Sequence, residues 1–583
     1  MQKNRHAPMA WLAGAGMSTL LLVCLFLFAD MRFAANDDKS ILRTFLDFQP
    51  SGAATFHLYI HAMYAYPLHW LSGAFPGVAW FSILQLLLLW LSNTVIVKSV
   101  IQCAMRASQP LWLGLLLGSS FLGLFSMFNG ARVTYTVTAA LLSAAAVAQT
   151  LSVDCTAGSD SQITARMSFA LLLVVLAYGL RQPTALPALA FCGVAFCLHT
   201  AQSFGLGRAK KRVLRPMAWT LALVVTIMGG LAIAREIEID ARGMRGYLDW
   251  QQARISVLDY INLENGSREV YDRIGWSETE VELLDNWYTM DADISTEAFR
   301  TVRREQFNSA TRTSPGAALL DLQTRSPLVV RSFIILCAFG GLCVLGLLCF
   351  NCAKRLWLML ALALTGLLCF GLFCYLAWQG RLPYRAALVP VLPAAAMVFC
   401  LLPQCLPRAE RLNSPKGMAL LLTGTLVAGL TLWCAVPVAQ SIRRVPPQWD
   451  YNAFEDLDSQ GLRHPDLLLI YNNDMVNDMR LFPDLSEGMP INVMFWGGWE
   501  RGSPEYQSRL AAFGLDGERF IAADWLRPFM RHVTVSPEPY EPLLRYLRQE
   551  VDPRVQCARE QLSIGLYAYR FYLDSGKRGN CNE

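Results

Sequence analysis

Residues 9–38 read MAWLAGAGMSTLLLVCLFLFADMRFAANDD, and this stretch decides the class of the chain. Its first part, 9–29, is apolar and reaches the roughly 20 residues that a helix needs to cross a bilayer core. Lys3, Arg5 and His6 precede it, and no small-x-small cleavage pattern comes before the acidic residues, so it reads as an uncleaved first span. Ten further apolar runs follow, at 78–97, 111–128, 133–150, 167–180, 185–200, 216–234, 332–350, 356–378, 386–402 and 418–438. The run at 167–180 is short, and reads either as a half-span or as one that continues past Arg181. The fold class expected is an α-helical polytopic membrane protein of about eleven transmembrane helices.

Composition agrees with that reading. Of the 583 residues, 54% are hydrophobic and only 16% charged, where soluble proteins carry about a quarter charged residues. The formal charge of +5 is spread over short connections and forms no basic face, which leaves nucleic acid binding without support. Most of the 16 cysteines lie inside apolar runs and behave there as small hydrophobes. Cys557 and Cys581 are different: both lie in the polar C-terminal segment and can pair if that segment faces an oxidising compartment.

Threading the spans alternately with the N-terminus in the cytoplasm puts Lys98, Arg106, Arg166, Arg208, Lys210, Lys211, Arg212, Arg215, Lys354, Arg355, Arg408, Arg411 and Lys416 on the inner side, as the positive-inside bias requires. Three larger polar segments then fall outside a plasma membrane: 30–77, 235–331 and 439–583. The chain divides into a transmembrane module at 1–438 and a small extracytoplasmic α/β domain at 439–583. The strand-like run 466–471 and the amphipathic run 540–550 belong to that domain.

The chemistry concentrates in the first outer segment. Asn36-Asp37-Asp38 follows the first span closely and places two adjacent carboxylates near the outer surface, where they can do acid–base work or simply mark the helix exit. The segment continues through His57, His61, Tyr64, Tyr66, His69 and Trp70, an aromatic and aliphatic composition that suits amphipathic helices lying in the membrane interface. His57 and His61, four apart, share a helical face and with Asp37 or Asp38 can form a divalent metal site; histidines are also ordinary interfacial residues. The segment 235–331 is rich in Asp, Arg, Tyr and Trp, residues that bind sugars by stacking and paired hydrogen bonds and that equally line amphipathic helices.

Taken in order, these features resemble the GT-C superfamily of membrane glycosyltransferases, and more specifically its bacterial members that use polyprenyl-phosphate sugars. The resemblance is carried by Asn36-Asp37-Asp38, Ser51-Gly52 with the histidine-rich stretch, and Pro76-Gly77-Val78-Ala79-Trp80. It continues with Arg181-Gln182-Pro183, Ile274-Gly275-Trp276-Ser277 with Asp285 and Trp287, and Gly497-Gly498-Trp499 with Ser503-Pro504. It implies transfer of a sugar from a polyprenyl-phosphate carrier to a cell-envelope glycan or glycolipid, with inversion at the anomeric carbon. Asp37 or Asp38 would be the general base, and the sequence does not say which. The leaving phosphate needs positive charge, and Arg132, Arg181, Arg381 and Arg385 lie on short outer connections. Arg181 and Arg385 are preferred, because each adjoins a proline-containing break between spans. Other readings are a polysaccharide polymerase or ligase, which would not need the acidic pair, and a lipid-linked glycan transporter, which would carry ionisable residues at mid-span.

Overall fold

The computed structural model describes residues 6–46, 58–154, 159–204, 210–261, 263–291, 294–310, 327–349, 355–379, 382–406, 435–443, 452–472, 479–485, 488–517 and 519–574, with a few isolated positions between them. The helical bundle begins with α1 (His6–Phe28), a two-residue strand β1 (Arg32–Phe33), and the short helices α2 (Asn36–Leu46) and α3 (Ala62–Ala74). It continues with α4 (Trp80–Arg106), α5 (Leu111–Phe121), a π turn into α6 (Met127–Ala131), β2 (Arg132–Val133), α7 (Tyr135–Leu151), α8 (Asp160–Leu180), α9 (Gln182–Phe204) and α10 (Lys210–Ala241). Helices α11 (Arg245–Leu258), α12 (Arg268–Ile274), α13 (Glu278–Asp285) and α14 (Thr296–Ala310) form the middle polar segment. Three long helices follow, α15 (Pro327–Cys349), α16 (Arg355–Trp378) and α17 (Tyr384–Cys405).

Nine helices among the described residues are long and apolar enough to cross a membrane, and α7 is a shorter apolar one. The protein is thus a polytopic membrane protein. The run at 167–180 belongs to a full-length helix: α8 extends back to Asp160, where the Ser159 hydroxyl accepts the Gln162 N–H at 3.3 Å and caps the new first turn. The eleventh expected run, 418–438, falls mostly outside the described residues.

Helices differ sharply in what they face. Every residue of α7 is buried, and alanines at 139, 140, 144–146 and 148 let α17, with its own Ala394–Ala395–Ala396, approach closely, which is how helices associate in lipid. By contrast α1, α10 and α16 expose Leu20, Phe28, Leu221, Val225, Ile233, Leu367 and Phe370, apolar surface that only lipid accommodates over whole helix faces.

The C-terminal part comprises α18 (Ala453–Arg463), β3 (Leu468–Tyr471), β4 (Val493–Phe495), α19 (Pro504–Ala512), β5 (Met530–Thr534), α20 (Glu541–Glu550), β6 (Val555–Ser563) and β7 (Leu566–Leu573). Its five strands form one sheet in the order β4-β3-β5-β7-β6, parallel from β4 to β5 and antiparallel beyond. One face of this sheet shares its core with α11–α14. Trp276, Tyr288 and Phe299 of the middle segment pack with Trp496, Trp525 and Tyr546 of the tail. Polar bonds lock the junction: Trp525 Nε1 donates to Tyr288 Oη at 3.1 Å, Trp496 Nε1 to the Asn286 carbonyl at 3.2 Å, and Arg501 Nη1 to the Ile294 carbonyl at 3.1 Å. Buried tyrosine, tryptophan and arginine usually need such partners, and here the partners come from the other segment. Cys557 is buried on β6, and Cys581 lies outside the described residues.

Candidate functional site

Helix α2 starts at the acidic motif for local reasons. Asp37 and Asp38 occupy its first turn and Arg43 its last, so side-chain charge complements both ends of the helix dipole. A two-stranded parallel ladder fixes where that helix begins. Arg32 pairs with Arg132 and Phe33 with Val133, and the Ala34 N–H donates to the Val133 carbonyl at 2.9 Å. The exit of the first span is thereby tied to the entry of the central helix α7.

The two carboxylates then part company. Asp38 is fully buried, and its Oδ1 accepts the Tyr135 N–H at 2.7 Å, capping the N-terminus of α7. Burial pushes its carboxyl up to about 7, against the opposing pull of the Tyr135 N–H and the Thr134 hydroxyl. Asp37 points the other way, stays partly exposed, and meets Arg385 Nη1 at 2.8 Å.

That ion pair lies on the wall of a cavity of about 780 Å³, within the roughly 300–1,000 Å³ range of small-molecule sites. Four parts of the chain build it. Asp37, Lys39 and Ser40 come from α2; Arg181, Leu186 and Pro187 from the α8–α9 junction; Leu372, Leu376, Arg385, Val389 and Pro390 from α16 and α17; and Arg254, Trp287, Tyr471 and Trp499–Glu500 from the middle segment and tail. One wall is therefore aliphatic and made of spanning helices. The rest of the lining is aromatic and charged.

Arg181 Nη1 donates to Tyr135 Oη at 3.1 Å, and its guanidinium lies 4.7 Å from the Tyr59 ring centre. Arg254 is buried on α11, with Nε donating to Gln251 Oε1 at 2.9 Å and the guanidinium 5.3 Å from the Trp287 ring centre. Trp287 holds a φ of +67°, a backbone region that bulky residues rarely enter and that clusters at functional sites. Gly497 explains how the tail reaches it: a Cβ there would come within 1.9 Å of the Trp287 carbonyl oxygen, so only glycine permits the approach. Burial in a box with Phe454 and Tyr471 holds the Lys39 amine well below its usual range.

The remaining sequence candidates sit elsewhere. Arg132 does not line the cavity; its Nη1 lies 3.8 Å from Asp30, which also pairs with Arg32. His61 is buried and caps α3, its Nδ1 accepting the Met63 N–H at 3.2 Å while Nε2 lies 3.0 Å from the Leu231 carbonyl, so its ring is occupied by backbone and does not line the cavity. His57 and Arg381 lie outside the described residues. Among the described residues no group of three or more His, Cys, Asp or Glu is placed to hold a metal ion. The candidates that sequence reading passed over are Lys39, Arg254 and Glu500. Lys39 adjoins the acidic pair, but Arg254 and Glu500 are distant in sequence, and nothing local marks them.

No protein-family model matches the chain, and no curated protein matches it either. Among solved structures it is similar to ArnT from Cupriavidus metallidurans, solved bound to undecaprenyl phosphate and in the apo state. Each likeness covers 97% of this chain and 98% of the other, at 12% identity and a TM-score of 0.39. So distant a likeness carries no weight for chemistry, which rests below on the cavity itself.

Proposed function

We propose that this chain is a membrane glycosyltransferase of the GT-C type. It takes a sugar from a polyprenyl-phosphate carrier and transfers it, with inversion, to a cell-envelope glycan or glycolipid on the outer side of the plasma membrane. The N-terminus is cytoplasmic, and 30–77, 235–331 and 439–583 lie outside, as the charge bias of the connections indicates. One observation carries the reading: a single cavity joins an aliphatic wall of spanning helices to a carboxylate paired with arginine and to aromatic walls from the polar segments.

The aliphatic, cationic and aromatic parts of that lining suit the parts of a lipid-linked sugar. Isoprene units rest on Leu186, Leu372, Leu376 and Val389, the phosphate meets Arg181 and Arg385, and the sugar lies among Tyr59, Trp287 and Trp499. Asp37 is the general base. Its carboxylate takes the proton of the acceptor hydroxyl as that oxygen attacks the anomeric carbon. The bond from the anomeric carbon to the phosphate oxygen breaks, and the electron pair leaves on the phosphate. Arg385 links the two events. It pairs with Asp37 at 2.8 Å and stands where a donor phosphate can share its guanidinium. Asp38 positions the motif by holding α2 against α7.

The test compares cell-envelope glycans by mass spectrometry in a deletion strain, the deletion carrying the wild-type gene, and the parent. Loss of one sugar increment on deletion, regained with the gene and bound in the anomeric configuration opposite to the donor's, is expected. Unchanged glycans, with lipid-linked intermediates building up on the cytoplasmic face, would move the transporter reading ahead.

A further inference from the structure

The cavity sets basic side chains among the carboxylates Asp37, Asp259 and Glu500. Four basic side chains line it: Lys39, Arg181, Arg254 and Arg385. Arg385 is paired with Asp37 and Arg181 with the Tyr135 hydroxyl. Arg254 Nη1 and Lys39 Nζ are buried without a hydrogen-bond partner among the described residues. Arg254 is 1% exposed and Lys39 is 2% exposed. An unmatched donor on a buried guanidinium is costly, so it persists where a ligand supplies the missing acceptor.

The surroundings of Arg254 are built to hold it in that state. Gln251 grips its Nε, and the same Gln251 donates through Nε2 to the carbonyls of Trp499 at 2.8 Å and Arg501 at 3.2 Å. The guanidinium is thus fixed between the middle segment and the tail loop, with its plane beside Trp287. It stands on the polar wall of the cavity, on a different element from the arginines beside the aliphatic wall.

Resting on the glycosyltransferase reading, we propose that the acceptor is anionic: Arg254 binds a phosphate or carboxylate group on the acceptor saccharide and makes the enzyme select acidic over neutral acceptors. Guanidinium suits this task, since its planar fork presents two N–H groups to an oxyanion, and the Trp287 ring offers a face for the sugar that bears it.

Full-length protein in lipid nanodiscs is equilibrated by dialysis with radiolabelled glucose 6-phosphate, glucuronate or glucose, with and without saturating undecaprenyl phosphate. Wild type should retain the two anionic sugars about tenfold or more over glucose, the scale of one charged hydrogen bond. Arg254→Gln should bring all three to the level of glucose, and Arg254→Lys should keep part of the preference. Undecaprenyl phosphate binding, measured separately, should stay within about twofold in Arg254→Gln and weaken about tenfold in Arg385→Gln. The proposal is overturned if wild type shows no anionic preference, or if Arg254→Gln loses undecaprenyl phosphate while keeping the sugar preference. Failure of wild type to bind undecaprenyl phosphate at all, with the sugar preference intact, overturns the donor assignment and leaves the anion site standing. Keeping both preferences in Arg254→Lys while Arg254→Gln aggregates supports the proposal, because the charge is then what matters.

Discussion

At its N-terminal end α7 receives the Asp38 carboxylate on the Tyr135 N–H, and at its C-terminal end the Arg106 guanidinium sits on the carbonyls of Leu151, Ser152 and Val153. Lys98 joins that second end, bonded to Gln149 and to Ser152 Oγ. Each end of the helix thus has its open backbone groups met by a side chain brought by a neighbouring helix. The difference lies next door. Around Arg106 and Lys98 the ionic groups are bonded to backbone, amide and hydroxyl groups, while beside Asp38 the chain opens into a cavity lined by Asp37, Arg254 and Lys39, where Arg254 Nη1 and Lys39 Nζ are buried without a hydrogen-bond partner among the described residues. Buried charge that satisfies a helix end is architecture, and buried charge that faces a cavity with atoms unmatched is poised for a ligand.

That contrast can be broken most forcefully at its functional end. Arg385→Gln should lower sugar transfer about 100- to 1,000-fold, as the loss of one charge-stabilising donor does, whereas Arg106→Gln should leave transfer per folded molecule unchanged. Radiolabelled sugar incorporation into membranes, normalised to folded protein, separates the two. The seam between tail and middle segment comes next. Gly497→Ala should cost about 3 kcal/mol, because its Cβ collides with the Trp287 carbonyl and backbone must shift, and a lowered Tm of the detergent-solubilised protein reports it. Arg106→Gln itself should cost about 2 kcal/mol by leaving the end of α7 unsatisfied, and shows as a smaller fall in Tm.

The smallest effect is a pH dependence. Asp38 holds its proton up to about 7 in the fold, and an unfolded aspartate releases it near 4. Between those values the unfolded chain binds fewer protons, so this group makes stability fall as pH rises. Asp38→Asn, which keeps the acceptor for the Tyr135 N–H, should flatten the decline of Tm between pH 4 and 7 relative to wild type.

Much of the bundle was legible because lipid imposes one rule on every span: runs of apolar residues mark α1, α16 and α17 to within a few residues. The α8 start escaped that rule, since Asp160, Gln162 and Arg166 are polar and only the Ser159 cap and buried Ile163 make them helical. At the site, the motif Asn36-Asp37-Asp38 and the pair Arg181 and Arg385 could be read from the sequence, and Asp37 and both arginines line one cavity. Which aspartate faces the cavity could not be read, because the deciding partner, the Tyr135 N–H, is almost a hundred residues away. Arg254, Glu500 and the common core of α11–α14 with the sheet were hidden for the same reason. Their pairing is long-range and leaves no periodic trace.

The most direct test of the account is sugar transfer by Asp37→Asn and Asp38→Asn, each produced at wild-type level and each read by mass spectrometry of the cell-envelope glycans in the deletion background. The account predicts loss of the sugar increment in Asp37→Asn, by about 100-fold or more, and its near-complete recovery in Asp38→Asn. Full recovery in Asp37→Asn, with the increment lost in a well-folded Asp38→Asn, would contradict it.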